Sequence, residues 1–373
     1  MRVERDIAGF AIPFASGAFI AAYTGRLLYA GNLTHITISL AVTLGLTALL
    51  MHPVRHRLAV PHIWVLIVLT GVAAGLFTGF HGKVAAISSI PLRPASTEGF
   101  AQSMKNAIDS IPFARPETNA LIKALLTGAS ESLSSETIQT FRKSGASHIL
   151  ALSGLHLGII YGIVKFSLST IGNSRTAVYI KALTTVAICG FYTLATGAGP
   201  SIVRAFIFIS LNEAARAMHR YHSTGNILMA SLILQIAISP TSVRSAGFQL
   251  SYAAMAGIAF IYPYLKDFWP SGGGDPTSLS SRLDLPRRIW ESAALSISCQ
   301  ITTGPIAYLY FRSLPTHFIL TNLIALPLTT ALIPAALVTT VLQGAGICPN
   351  ASIRFTEWLA QGLLRSLEII ATM

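Results

Sequence analysis

The stretch Phe141-Arg-Lys-Ser-Gly-Ala-Ser-His-Ile-Leu-Ala-Leu-Ser-Gly-Leu-His-Leu-Gly-Ile-Ile160 carries polar residues from a basic edge into an apolar run. In hydrocarbon a polar side chain needs a partner or a water-filled cavity, so residues placed this way are candidates for function. Ser144-Gly145 and Ser153-Gly154 stand nine residues apart, and a histidine follows each, His148 and His156. On a helix the two histidines, eight residues apart, fall on nearly the same face. Glycine beside serine lets the backbone open or another helix approach closely.

The composition around this stretch sets the class. Of 373 residues 52% are hydrophobic and 11% charged, and the mean hydropathy is +0.61, outside the range of soluble domains. Several apolar runs reach the roughly 20 residues that cross a bilayer. The pattern predicts an all-α polytopic membrane protein of about ten transmembrane helices, several broken by Gly or Pro, with amphipathic interfacial helices besides. Spans are expected near 8–30, 35–51, 61–80, 145–170, 176–196, 200–217, 226–240, 245–264, 291–311 and 316–342. The ten-residue alternation of a transmembrane barrel is absent. The long first apolar stretch, followed at once by others, reads as a span and not as a cleaved signal peptide.

Four regions result. Residues 1–80 form N-terminal transmembrane helices, 81–144 an extracytoplasmic segment of amphipathic helices, 145–345 a membrane core, and 346–373 a C-terminal amphipathic or final transmembrane helix. In the second, Phe100, Met104, Ile108 and Ile111 step at helical intervals, and Leu121, Ile122, Leu125 and Leu126 make another apolar face, the pattern of helices that lie at an interface or cap a bundle. In the last, Arg354, Glu357, Gln361, Arg365 and Glu368 oppose Phe355, Leu359, Leu363 and Ile370. That helix either lies on the membrane surface or packs as a span with its polar face inward, and both readings stand. Arg2, Arg5, Arg55, Arg57, Arg216, Arg220, Lys266, Arg282, Arg287 and Arg288 mark the cytoplasmic side, and Gly272–Ser278 reads as a flexible cytoplasmic loop.

The charge balance narrows the chemistry. None of the 14 acidic residues lies in the middle of an expected span, with Glu213 and Glu291 near span ends. This argues against a carboxylate proton relay and against a two-metal nuclease centre. An interior of neutral polar and basic groups suits a polyanion. Cys189, Cys299 and Cys348 lie far apart without CxxC spacing and read as small core residues. His52, His56, His219 and His222 flank basic loops without carboxylate or Cys partners, so no metal site and no cofactor are expected.

Arg204 is the sharpest single residue. In Thr196-Gly-Ala-Gly-Pro-Ser-Ile-Val-Arg-Ala205 the glycines end one helix and Pro200 starts the next, where its missing N–H costs nothing. The new helix offers free N–H groups and its positive end, with Ser201 and Arg204 in its first turns, a constellation suited to phosphate. Gln249 and Ser251 open another apolar span, Gln300 and Thr302-Thr303 precede Pro305, and Asn322 lies near Pro327 and Pro334. Such side chains bond across helices or line a polar path where proline frees carbonyls. Leu152-Ser153-Gly154 resembles the Ser-Gly turn of rhomboid-type intramembrane proteases, but Ala151 stands where that motif has Gly and no later span carries a central His as base.

Taken together, five ordered segments resemble the competence domain of ComEC-type proteins, the inner-membrane DNA channels of bacterial natural transformation. They are Ala124-Leu-Leu-Thr-Gly128 with Leu133-Ser, Phe141 to Gly158, Thr196 to Ala205, Gly247-Phe-Gln-Leu-Ser251 and Thr321-Asn-Leu-Ile-Ala-Leu-Pro327. The resemblance implies a multi-pass protein of the bacterial cytoplasmic membrane that passes single-stranded DNA through the lipid bilayer while the other strand is degraded. With no nuclease metal motif and a poor match to the protease turn, the chain itself is not expected to be an enzyme. The resemblance directs attention to Ser153, Gly154, His156, Pro200, Ser201, Arg204, Gln249, Asn322 and Pro327. Arg204 and the helix end at Pro200 are expected to contact phosphates, and His148 and His156 to shape or gate the entrance. Larger members carry an external OB-fold and a cytoplasmic metallo-β-lactamase-like domain, whereas residues 81–144 look helical and no His-x-His-x-Asp-His motif occurs. The expectation is a channel core served by a separate nuclease, DNA receptor and cytoplasmic ATPase. A transporter or flippase for another anionic or amphiphilic substrate is the rival reading.

Overall fold

The computed structural model describes residues 2–24, 32–51, 60–85, 95–150, 152–172, 174–218, 223–268, 285–312 and 317–373, and all regular structure among them is helical. The helices are α1 (Arg2–Thr24), α2 (Asn32–Met51), α3 (Val60–Ala85), α4 (Ala95–Asp109), α5 (Pro116–Thr127), α6 (Ser135–Lys143), α7 (Ser147–Leu150) and α8 (Gly154–Ser167). They continue as α9 (Arg175–Ala195), α10 (Pro200–Ala217), α11 (Thr224–Ile238), α12 (Ala246–Ala256), α13 (Tyr262–Lys266), α14 (Leu285–Phe311), α15 (Phe318–Gly344) and α16 (Asn350–Ala371). The all-α expectation therefore holds. By length and composition α9 and α15 could cross a membrane, and shorter apolar stretches occupy Gly9–Ala22, Ile38–Thr47, Val65–Phe80 and Thr224–Ile238. Arg55, Arg57, Arg220, Arg282, the Gly272–Ser278 stretch, Ala151 and the histidines at 52, 56, 219 and 222 lie outside the described residues.

The chain forms two compact units, Met1–Pro91 with Ile207–Tyr252, and Leu92–Phe206 with Ala253–Met373. In the first, α1 and α3 pack backbone to backbone. Gly71, Gly75 and Gly79 recur every four residues on α3. A Cβ at Gly71 would stand 2.7 Å from the Phe10 carbonyl oxygen, one at Gly79 2.6 Å from Ala21 Cβ, and one at Gly75 would run into the Phe14 carbonyl. Gly17 of α1 meets the Val72 carbonyl in the same way. Side chains of small size at such a seam let two helices gain dispersion contact over their whole length. Phe14 and Ala18 then pack with Ile236, Val243 and Phe248, and the buried Gln235 accepts a hydrogen bond from the Tyr252 hydroxyl at 3.0 Å.

The second unit is built around α5. Leu121 and Leu125 pack with Phe141, Ile149, Leu332, Leu359, Leu363 and Leu367. Ile122 and Leu126, on the other side of the helix, meet Ile108, Ile333 and Ala336. The apolar face expected at an interface is thus covered by α15 and α16. Long-range polar contacts fix it there: Gln343 Nε2 donates to the Ser110 carbonyl (3.1 Å), the Arg115 N–H to Glu357 Oε1 (3.1 Å), and the Tyr192 hydroxyl to the Leu126 carbonyl (2.9 Å).

The last helix resolves its two open readings in part. α16 lays Ile353, Leu359, Leu363, Leu367 and Ile370 inward and leaves Arg354, Arg365 and Glu368 exposed, so it packs apolar face inward and not polar face inward. Phe355, grouped with that apolar face by its spacing, is instead exposed and stacks on Trp358 with centroids 6.2 Å apart.

Two expected spans are interrupted. Residues 145–170 divide into α7 and α8, with the chain extended at Ser153, and the 14 residues of α8 reach about 21 Å, short of a ~30 Å hydrocarbon core. Residues 245–264 divide at a π-helical turn, Gly257–Ile261, which lies between α12 and α13. Gly257 sits so close beneath the Ser298 carbonyl of α14 that a Cβ there would collide with it.

Candidate functional site

The site starts from a helix end. Ser153 is the N-cap of α8, extended at φ −124° and ψ 173°, and its Oγ accepts the Leu155 N–H at 3.3 Å. Its own N–H donates to His156 Nδ1 at 3.3 Å, and Oγ lies 3.1 Å from the same nitrogen. This is a capping box in which His156 takes the place usually held by Glu or Gln. Because a backbone N–H can only donate, Nδ1 is the acceptor and the proton of the neutral ring sits on Nε2. His156 is 0% exposed, and Nε2 has no hydrogen-bond partner among the described residues.

Gly154, the first residue of α8, faces Arg204. A Cβ at Gly154 would stand 3.1 Å from Arg204 Nη2 and 3.5 Å from Ala205 Cβ, so the missing side chain is what seats the guanidinium. Arg204 is 8% exposed. It reaches this place because α10 begins where expected, at Pro200, after a tight reversal. Gly197 and Ala198 both adopt left-handed φ angles, 90° and 50°, and their N–H groups close α9 onto the Leu194 and Thr193 carbonyls. Ser201 is half-buried in the first turn of α10. The guanidinium therefore lies against the start of α8, while Arg204 itself belongs to the first turns of the helix that Pro200 opens.

A second group of residues meets at the start of α15. The His148 ring lies 5.9 Å from that of Phe318, one helical turn before Asn322, and its Nδ1 is 3.1 Å from the Gly145 carbonyl. Asn322 Nδ2 donates to Ser296 Oγ at 3.2 Å. Thr321 Oγ1 bonds the Ser144 carbonyl and ties this junction to the loop before α7. Pro327 stands inside α15, leaving the Leu323 carbonyl without its helical N–H donor. Ser296 and Thr321 escaped the reading of the sequence, since each acquires its meaning from a partner far along the chain.

Gln249 belongs to the first compact unit, where its Nε2 donates to the Val243 carbonyl at 2.9 Å.

Comparison with known proteins bears on this set. The protein-family model for "Competence protein" matches residues 125–373. ComE operon protein 3 of Bacillus subtilis (strain 168) is 28% identical over 138 residues, 37% of this chain and 17% of its own length. The Uncharacterized protein YcaI of Escherichia coli (strain K12) is 22% identical over 233 residues, 61% of this chain and 30% of its own length. The chain thus spans less than a third of either relative. No solved structure matches. The matched region takes in both polar groups and extends well beyond half of the sequence, and the chain belongs to the competence protein family.

Proposed function

We propose that this chain acts in DNA uptake for transformation, as a multi-pass core of the bacterial cytoplasmic membrane that conducts a single strand inward. The observation that carries the reading is the buried Arg204 guanidinium set against the start of α8 at Gly154. A guanidinium and the first N–H groups of a helix both attract anions, so an anion arriving beside this pair would be favoured by each. A strand's phosphates are such anions, and contact with phosphate alone reads no base sequence. Thr118 Oγ1, Asn119 Oδ1, His156 Nε2 and Thr329 Oγ1 of the second unit, buried without a hydrogen-bond partner among the described residues, agree with an interior that admits a polar ligand or water. The exposed faces of α9 (Ile180, Leu183, Phe191) and α14 (Ile301, Leu309, Phe311) agree with a lipid surround.

In this reading no chemical step belongs to the chain, and a separate nuclease, receptor and ATPase complete the apparatus. The test is uptake of fluorescent DNA into the cytoplasm of a deletion strain complemented with wild type, His156→Ala or Arg204→Ala, with membrane levels matched. Restoration by wild type and failure of Arg204→Ala is expected. Normal uptake in the uncomplemented strain overturns the reading and moves a transporter for another anionic substrate to first place.

A further inference from the structure

The strand-conducting reading leaves open what surface a strand would touch beyond Arg204, and the next two turns of α8 bear on that. At 100° per residue Gly154, Gly158, Tyr161, Gly162 and Lys165 fall within about a 100° arc of the helix. Cβ atoms built at Gly158 and Gly162 would meet nothing within 4 Å among the described residues, and both glycines are exposed, so this face is open there where side chains would otherwise fill it. Arg204 Nη2 borders its beginning, and at its end Lys165 Nζ stands 5.9 Å from the centre of the Tyr161 ring. The face is about 16 Å long, and α8 contains no acidic residue.

We propose that this face of α8 is a surface for the sugar-phosphate backbone of the single strand. The proposal rests on the reading above and deepens it. Cations at both ends match a polyanion, and the bare glycine positions let a backbone come close between them. The Tyr161 ring adds a flat surface of the kind on which a base stacks without regard to its identity. A second helix could also use small residues for close approach. It would then have to accommodate Lys165 on the contact face, which disfavours that occupant.

The experiment uses the full chain in lipid nanodiscs and a fluorescent oligo-dT, followed by anisotropy. Gly158→Leu and Lys165→Ala are each expected to weaken binding about tenfold. Gly158→Ala serves as the fold control, and matching melting curves for all variants verify that the loss is local. A photo-crosslinker at Gly162 is expected to label the oligonucleotide. Unchanged affinity of Gly158→Leu and Lys165→Ala, with Arg204→Ala still weakened, overturns the α8 surface and leaves the conducting reading standing. A crosslinked product of twice the chain's mass also overturns it, in favour of a second copy on that face. Absence of oligonucleotide binding by wild type overturns both.

Discussion

Glycine recurs every fourth residue on two helices of this protein, and the two stripes are used in opposite ways. On α3, Gly71, Gly75 and Gly79 are pressed against the backbone of α1. On α8, Gly154 meets a guanidinium and the Ala205 methyl, and Gly158 and Gly162 meet none of the described residues. The same spacing therefore serves as a seam in one unit and as a bare surface in the other. What decides between them is whether another main chain lies opposite, a property that spacing does not encode.

The contrast breaks most readily at Gly75. Gly75→Leu would force α1 away from α3, since its Cβ meets the Phe14 carbonyl and lies 2.8 Å from the Ala18 nitrogen. A loss of about 3 kcal/mol or more is expected, the upper part of the range for overpacking. Thermal unfolding in detergent reads it, and a wild-type melting curve would mean that the two helices are not in backbone contact.

At Gly154 the opposing atom is the end of a flexible side chain. Gly154→Ala should cost the fold less than about 1 kcal/mol, because helix propensity favours Ala and the guanidinium can shift by a few tenths of an ångström. Its effect belongs in ligand binding. If the shift removes one phosphate contact, the slope of log affinity against log salt should flatten by about 0.7 for single-stranded DNA. An unaltered slope with altered stability would make Gly154 a packing residue like those of α3.

Gly158→Ala sharpens the comparison from the other side. With no atom near its Cβ, alanine should stabilise α8 by up to about 1 kcal/mol through propensity alone. Destabilisation would show that the face is packed after all. The smallest change is expected from Ala198→Gly in the reversal that positions Arg204. Relief of the left-handed alanine, offset by glycine's greater entropy loss, leaves a gain of about 0.5 kcal/mol, measurable as a small rise in melting temperature.

Local features of the site were legible in the sequence. Pro200 does begin α10, and the glycines before it do end α9, because proline and glycine act on their own backbone. The Ser153–His156 spacing was equally visible. Its role as a helix cap was not, since His is an uncommon partner in a capping box and only the ring's orientation shows Nδ1 turned toward the Ser153 N–H. The place of Arg204 in the first turns of α10 was visible from Pro200, but its contact with the start of α8 depends on Gly154, fifty residues earlier. The amphipathic pattern of α5 announced an apolar face without naming its cover, because periodicity reports that a face must be buried and not against what. For α16 the same limit let Phe355 be placed on the wrong side.

The contacts that hold α5 carry a consequence for how the protein is made. Arg115 bonds Glu357 across 242 residues of chain, and Leu121 and Leu125 are covered by leucines as late as Leu367. At ribosomal rates of 5–20 residues per second, the nascent chain would wait on the order of 10–50 s before the covering helices exist. During that interval an apolar helix face has to be sheltered elsewhere, and beside a bilayer an amphipathic helix finds the nearest shelter in the headgroup layer. The lipid-surface character written into α5 would then belong to a stage in biogenesis, given up when α16 arrives to cover it.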